Sequence, residues 1–143
     1  MMSAIRSALF ACCLLITTSA YAEQKMVVGD YAIHYIVIPT TFLNPKIAAQ
    51  YQLVRGQDRA LVNVSVIGAD GSPASAGVSG TAQNLIGQIA TLRFNEVREG
   101  EAIYYLAELR HGNEEHRKFV LEMTLPDGEI ANIEFQQKMY WQH

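Results

Sequence analysis

The side chains of this sequence that could do chemistry are concentrated in one short polar segment, residues 111–116. His111 and His116 lie five residues apart, with Glu114 and Glu115 between them. Imidazole nitrogens and carboxylate oxygens both bind zinc, so this spacing makes the segment a candidate centre for a metal-dependent hydrolase. Charged residues in a turn are more often simply solvated, and we therefore predict no metal, no cofactor and no catalytic residue.

A second segment has part of the pattern of a serine nucleophile. Residues 77–80 are Gly-Val-Ser-Gly, but the G-x-S-x-G motif requires glycine at position 81, which is Thr81. The motif also requires a strand, a sharp turn and a helix, whereas β pattern continues beyond this segment. We interpret the two glycines as small residues that allow close packing of sheets, or a bulge or edge strand.

The elements that must position these residues are strands, because apolar and polar residues alternate along most of the chain. Turn residues separate them, as in residues 68–73 and 126–128, and Glu99-Gly100 divides the clearest hairpin. The pattern predicts about seven strands, over residues 27–38, 59–67, 74–82, 88–98, 102–110, 118–125 and 130–141. Short strands joined by short turns indicate an all-β fold, an antiparallel β-sandwich.

One long connection after the first predicted strand interrupts the alternation. Residues 40–56 contain Asn44 followed by Pro45, which is typical of a helix start and predicts one short helix through Tyr51. We expect this connection to cross from one sheet to the other. Because long loops on rigid scaffolds often carry function, the Thr41–Arg55 connection is the candidate binding segment.

The predicted binding residues combine this connection with one exposed aromatic ring. They are Phe42, Leu43, Asn44, Tyr51, Arg55 and Tyr104. We expect the other strand tyrosines to be half-buried core, and Tyr104 to be the exception because Tyr105 takes the apolar face. The alternative for the connection is a plug, in which Phe42, Leu43 and Ile47 cover the open end of the sandwich.

The first 22 residues have the pattern of a secretory signal peptide. Arg6 provides a positive charge, residues 8–16 are apolar, and Ala20-Tyr21-Ala22 forms an A-x-A cleavage site before Glu23. The apolar run is shorter than the roughly 20 residues that span a bilayer. We therefore predict an exported, periplasmic protein with no membrane insertion after cleavage.

The mature chain, residues 23–143, is expected to form a single domain. Both cysteines, Cys12 and Cys13, precede it, so it has no disulfide. Without Arg6, 10 Lys and Arg face 14 Asp and Glu, a net charge of −4 with no run of like sign. This balance argues against nucleic acid as a partner and against electrostatic docking to anionic lipid.

Five phrases of the sequence, taken in order, resemble an exported bacterial family, "domain of unknown function 4426". They are residues 29–35 (GDYAIHY), 41–49 (TFLNPKIAA), 78–85 (VSGTAQNL), 97–105 (VREGEAIYY) and 135–140 (FQQKMY). The resemblance covers nearly the whole mature chain. It implies an immunoglobulin-like β-sandwich in a Gram-negative periplasm, and it implies no activity and no catalytic residue.

Three functions follow from these patterns. The first is a non-enzymatic protein-interaction module of the cell envelope, which contacts its partner through the Thr41–Arg55 connection or an open sheet edge. The second is a small-molecule binding protein with an aromatic-lined pocket between the sheets or under the short helix. The third is a metal-dependent or other hydrolase built on His111 and His116.

Overall fold

The computed structural model describes residues 22–143, so Ala20 and nearly all of the predicted leader lie outside the described residues. Ala22 and Glu23 are exposed and precede the first strand. The strands of this part of the chain are β1 (Gln24–Val28), β2 (Tyr31–Pro39), β3 (Arg59–Ile67), β4 (Pro73–Ala74), β5 (Gly77–Gln83), β6 (Ile89–Leu92), β7 (Asn95–Glu99), β8 (Ala102–Arg110), β9 (Glu115–Thr124) and β10 (Ile130–Met139). A 3₁₀ turn (Thr40–Phe42) and one short helix, α1 (Pro45–Gln50), follow β2.

The strands form two antiparallel sheets. Sheet A has the order β1-β2-β3-β8-β7, with β4 paired to β3, and sheet B has the order β10-β9-β5-β6. The predicted all-β sandwich with one short helix is therefore confirmed. No helix in residues 22–143 is long and apolar enough to cross a membrane.

The core lies between the two sheets and is filled by the alternating apolar residues. Phe119 is fully buried, and its ring stacks on Phe135 with centroids 4.9 Å apart. Tyr35 of sheet A packs against the same ring at a tilt, with its centroid 5.0 Å from that of Phe135. Because a fully buried large apolar side chain contributes about 1.5–3 kcal/mol, this core can hold a domain that has no disulfide.

The first predicted strand, residues 27–38, is wrong as a single element, because it is the hairpin of β1 and β2. Gly29 adopts a φ of +56° and reverses the chain. The reversal shifts the alternation, so that Val28 packs against the core while Val27 is exposed. The sequence pattern missed the turn because alternating residues continue on both sides of it.

Two further strand assignments change when the pairing is known. Residues 88–98 form two strands in different sheets, since the chain leaves sheet B after β6 and enters sheet A at β7. Strand β5 pairs with β9 along its whole length but with β6 only from Gly80 to Gln83, so residues 77–79 form an edge and the rest of the strand does not. The small-residue interpretation holds, because a Cβ on Gly80 would lie only 2.7 Å from Leu121 Cδ2.

The connection after β2 does not cross between the sheets. Strands β2 and β3 are antiparallel neighbours in sheet A, with Pro39 opposite Ala60. Residues 40–56 therefore form an elaborate loop within one sheet. The composition of a connection indicates its length and local structure but not which strands it joins, so the predicted crossing was wrong.

Candidate functional site

One buried threonine closes the long connection. The Thr40 side chain is fully buried, and its hydroxyl accepts a hydrogen bond from Gly56 N–H at 3.0 Å. The same hydroxyl lies 3.2 Å from the carbonyl oxygens of Gly56 and Arg59, to which it can donate. Thr40 thus ties the beginning of the connection to its end and fixes the loop on the sandwich.

We expect Thr40→Val to lower the free energy of unfolding by about 1–3 kcal/mol, because it leaves buried partners of the hydroxyl unsatisfied. Amide hydrogen exchange should also become faster across residues 41–56. The matched control is Thr41→Val, because Thr41 Oγ1 is buried with no hydrogen-bond partner within the described chain. Urea unfolding of both variants checks this, and equal effects would contradict the role of Thr40.

The helix in the connection starts as the sequence predicts. Asn44 caps it, since its side chain accepts a hydrogen bond from Lys46 N–H at 2.8 Å, and Pro45 occupies the first helical position. Ala48 is the buried residue of the helix. Phe42 and Ile47 are 57% and 46% exposed, so the plug interpretation is wrong.

The connection lies along the outer face of sheet A. Val54 N–H donates to Glu108 Oε1 at 2.9 Å, and the Tyr51 hydroxyl donates to Glu99 Oε2 at 3.2 Å. A groove of about 300 Å³ runs between this loop and strands β6, β7 and β8, with Leu53 and Leu106 in its lining. The loop therefore covers outward-facing apolar residues of sheet A.

The structure brings together two of the predicted binding residues, Tyr51 and Tyr104. Partial burial raises the pKa of Tyr51, and so do the hydrogen bond and charge of Glu99 and the nearby Tyr104. Tyr104 is half-buried on the outward face of β8, opposite Val97. This pair of rings is a candidate contact surface on the outer face of sheet A, beside the groove that Tyr51 lines.

The other predicted binding residues have structural contacts. Asn44 caps the helix, and Arg55 Nη2 donates to the carbonyl oxygen of Thr41 at 3.0 Å. Leu43 is half-buried, and Phe42 is exposed beside it. The polar groups of Asn44 and Arg55 are engaged within the connection, so their own contacts do not indicate a ligand.

A larger cleft, of about 620 Å³, lies on the opposite side of the molecule, where the edges of the two sheets meet. Its walls combine three aromatic rings with aliphatic and amide side chains. The lining residues are Ala22, Gln24, Tyr35, Ile36, Val37, Phe135, Gln137, Lys138, Tyr140 and Gln142. The volume lies within the range of about 300–1,000 Å³ that is typical of ligand sites.

The cleft follows a stretch of β2 that β1 does not cover. The register of β1 with β2 ends at Gln24 opposite Tyr35, whereas β2 continues to Pro39. Within the described residues, a side chain rather than a strand meets this edge, since Gln137 Nε2 donates to the Val37 carbonyl oxygen at 3.3 Å. Gln137 interrupts the apolar face of β10, a break that the sequence contains but that does not indicate the strand it meets.

One cation stands at the mouth of the cleft. Lys138 Nζ lies 5.6 Å from the centroid of the Tyr140 ring, a distance at which a cation and an aromatic face attract each other. Among the described residues that line the cleft, Lys138 is the charged one. The site is therefore suited to an apolar ligand that carries a negative group.

The two histidines of the polar segment have different surroundings. His111 is buried and Nδ1 lies 2.8 Å from the Gly112 carbonyl oxygen, whereas His116 is exposed on β9. His34 Nδ1 lies 2.7 Å from Glu23 Oε1. Across residues 22–143, no three His, Cys, Asp or Glu residues are grouped so that they could hold a metal ion.

These features define a small two-sheet antiparallel sandwich with a lateral cleft. Residues 25–142 match the family described as Domain of unknown function (DUF4426), and the chain belongs to this family. A crystal structure of a DUF4426 family protein from Pseudomonas aeruginosa is similar, with a TM-score of 0.77 and 30% identity over 85% of this chain and 97% of that chain.

Two more distant structures share the fold. A copper-bound variant of FetP from uropathogenic Escherichia coli has a TM-score of 0.58 and 11% identity, covering 85% of this chain and 92% of its own. FetP expressed recombinantly in the periplasm of E. coli has a TM-score of 0.55 and 9% identity, covering 87% of this chain and 100% of its own. No curated protein matches the sequence.

Proposed function

We propose that this chain is an exported, non-enzymatic binding domain of the periplasm, whose cleft receives an extended peptide segment of another envelope protein. The observation that carries the proposal is the stretch of β2 beyond Tyr35, which β1 leaves uncovered and which forms one wall of the cleft. An extended peptide can add to such an edge through main-chain hydrogen bonds.

The arrangement of the edge favours this mode of binding. The Val37 carbonyl oxygen faces the cleft, and Gln137 now occupies it through a long side-chain hydrogen bond of 3.3 Å. A peptide N–H can replace that amide without breaking any strand pairing. Pro39, which has no N–H, limits the edge to a few residues, so we expect a short segment rather than a complete added strand.

The side chains of the cleft determine which peptide fits. Tyr35 and Phe135 form an aromatic floor that can pack against an apolar side chain. Lys138, beside Tyr140, can pair with an acidic side chain or a C-terminal carboxylate. We therefore expect an extended segment with an apolar residue close to a negative charge.

The predicted cleavage site of the leader lies next to the cleft, because Ala22 is one of the lining residues. Cleavage after Ala22, as the leader predicts, would remove one residue of the cleft lining and widen its mouth. Glu23 would then be the first residue, with its carboxylate in contact with His34. The fold shared with FetP, which has been expressed in a periplasm, supports the same location.

Site-specific photo-crosslinking in cells tests the proposal. A photoreactive phenylalanine analogue at position 140 should form an adduct with a defined envelope protein, and the same analogue at exposed Ile130 should not. Lys138→Glu should lower the adduct yield about fivefold, the value of one ion pair of about 1 kcal/mol. The exposed Lys46→Glu variant is the charge-matched control and should leave the yield unchanged.

Two results would contradict peptide binding in this cleft. One is the absence of an adduct at position 140. The other is an adduct with the same protein from position 130, which would mean that contact is general rather than located at the cleft.

A small apolar acid is the second candidate ligand, and the aromatic cluster of Phe119, Phe135 and Tyr35 behind the cleft favours it. Native mass spectrometry of the protein purified from periplasm distinguishes the two. A bound mass of a few hundred daltons that Lys138→Glu removes would support the small molecule, and its absence together with a protein adduct would support the peptide.

A further inference from the structure

A set of exposed apolar side chains projects from one end of the sandwich, and it lies outside every predicted site. The turn between β5 and β6 places Leu85 and Ile86 at its centre, 82% and 81% exposed, and Ile89 follows with 63%. We call these three residues the apolar tip. Such exposure of three neighbouring large aliphatic side chains is unusual on a protein surface that has no partner.

The apolar tip stands on a rigid turn. Asn84 closes it with two backbone hydrogen bonds, Gly87 N–H to Asn84 O at 3.1 Å and Asn84 N–H to Gln88 O at 3.0 Å. The side chain of Asn84 adds two more bonds to Gln88, of 2.8 Å and 2.9 Å. Because the turn is held in this way, Leu85 and Ile86 cannot fold back onto the body of the protein.

Charged and aromatic residues lie at the same end of the sandwich as the apolar tip. Leu85 shares a small concavity with His116 and Lys118, and His116 is paired in register with Lys138. Lys118 is paired with Glu134 and buried Arg117 with Glu115, so Lys138 and Glu114 are the nearby charges outside these pairs. Exposed Tyr140 and Trp141 follow β10 at this same end.

The opposite end of the sandwich is rich in exposed carboxylates. Four turns meet there, between β1 and β2, β3 and β4, β7 and β8, and β9 and β10. They and their borders carry six exposed carboxylates, with exposed Arg98 next to Glu99 and paired with Glu96: Asp30, Asp70, Glu99, Glu101, Asp127 and Glu129. The net charge of the chain hides this separation of an acidic end from an apolar end whose nearby charges are paired or balanced.

We infer that the apolar tip docks this protein onto an anionic phospholipid surface. Rigid aliphatic side chains at an apex, with Lys and His beside them and Tyr and Trp close by, match the chemistry of the bilayer interface. An anionic surface also repels the six carboxylates, which orients the molecule with the apolar tip towards the lipid. The docking is peripheral, because only a turn reaches the bilayer.

The single tryptophan of the chain provides the readout. Trp141 belongs to the docking end, where its backbone N–H donates to Asn113 Oδ1 at 3.0 Å. Vesicles of phosphatidylglycerol and phosphatidylethanolamine should bind the purified protein in sedimentation and shift the Trp141 emission to the blue. Vesicles of phosphatidylcholine alone should bind it less, and salt should weaken the binding to the anionic vesicles.

Substitutions in the apolar tip locate the contact. The double variant Leu85→Ser, Ile86→Ser should reduce partitioning about tenfold, and neither change should affect folding because both side chains are exposed. Ile130→Ser, at the acidic end, is the matched aliphatic control and should bind like the unmodified protein.

Three outcomes would overturn the inference. They are no binding to the anionic vesicles, equal binding to both kinds of vesicle, and a double variant that partitions like the unmodified protein. Self-association through the apolar tip, seen as a dimer that the double variant abolishes while vesicles remain unbound, would replace the lipid by a second copy of this chain.

Discussion

Replacing Arg117 by leucine is expected to lower the free energy of unfolding by about 3 kcal/mol or more. Arg117 lies on the inward face of β9, only 8% exposed, and its guanidinium binds the Glu115 carboxylate. It also donates to the Ala82 carbonyl oxygen at 3.1 Å and approaches the Arg110 carbonyl oxygen at 3.5 Å. One side chain thus joins β9 to β5 and to the end of β8 in the other sheet.

The cost has two physical sources. Loss of the guanidinium leaves the Ala82 carbonyl without its donor and leaves the half-buried Glu115 without a cation. Removing one partner of a buried pair is far more destabilising than removing both, so Arg117→Leu combined with Glu115→Leu should recover part of the loss. Lys118→Gln, one residue away and exposed, should change stability by less than about 1 kcal/mol.

Urea unfolding monitored by circular dichroism checks this prediction, with the midpoint and slope measured for each variant. An Arg117→Leu variant as stable as the unmodified protein would show that the guanidinium does not hold the sheets together. A double variant that is no better than the single one would show that the Glu115 charge is not part of the cost.

The second large loss of stability is expected from the substitution Gly80→Ala. A Cβ at this position would lie 2.7 Å from Leu121 Cδ2 and 2.9 Å from the Val120 carbonyl oxygen. The carbonyl belongs to a paired strand and cannot retreat as a flexible side chain would. Gly80→Ala should therefore cost about 1–3 kcal/mol, as overpacking of a core generally does.

Gly77 in the same strand is the matched control. A Cβ there would lie 3.6 Å from Thr124 Cβ, an ordinary van der Waals contact. Gly77→Ala should stabilise the protein by about 0.5–1 kcal/mol, because alanine loses less backbone freedom on folding. Thermal unfolding of the two variants side by side tests the pair, and changes of the same sign would contradict the packing argument.

The sequence predicted the sandwich and the helix because local patterns determine both. Alternation gave β3 and β8 to the residue and most of β9, which begins three residues before its predicted start, and Asn44 with Pro45 gave the start of α1. Alternation does not predict which strands pair, because pairing depends on residues far apart in the chain. The turn at Gly29 and the change of sheet before β7 were missed for this reason.

For the candidate sites too, the sequence identified individual residues but not the places where distant residues meet. The sequence singled out Tyr51 and Tyr104, and the fold brings them together beside Glu99. It could not find the cleft, because Tyr35 and Gln137 are about a hundred residues apart and meet only across two sheets. It also passed over the apolar tip, since a short aliphatic run in a sequence resembles any buried strand.

The two sides of the sandwich are closed in different ways. On one side the chain runs directly from β6 in sheet B to β7 in sheet A, so a covalent connection spans the gap. On the other side β2 and β10 meet through the Gln137 side chain. The β2–β10 side is therefore held by a side-chain hydrogen bond that a ligand can displace, whereas the β6–β7 side is held by the chain itself.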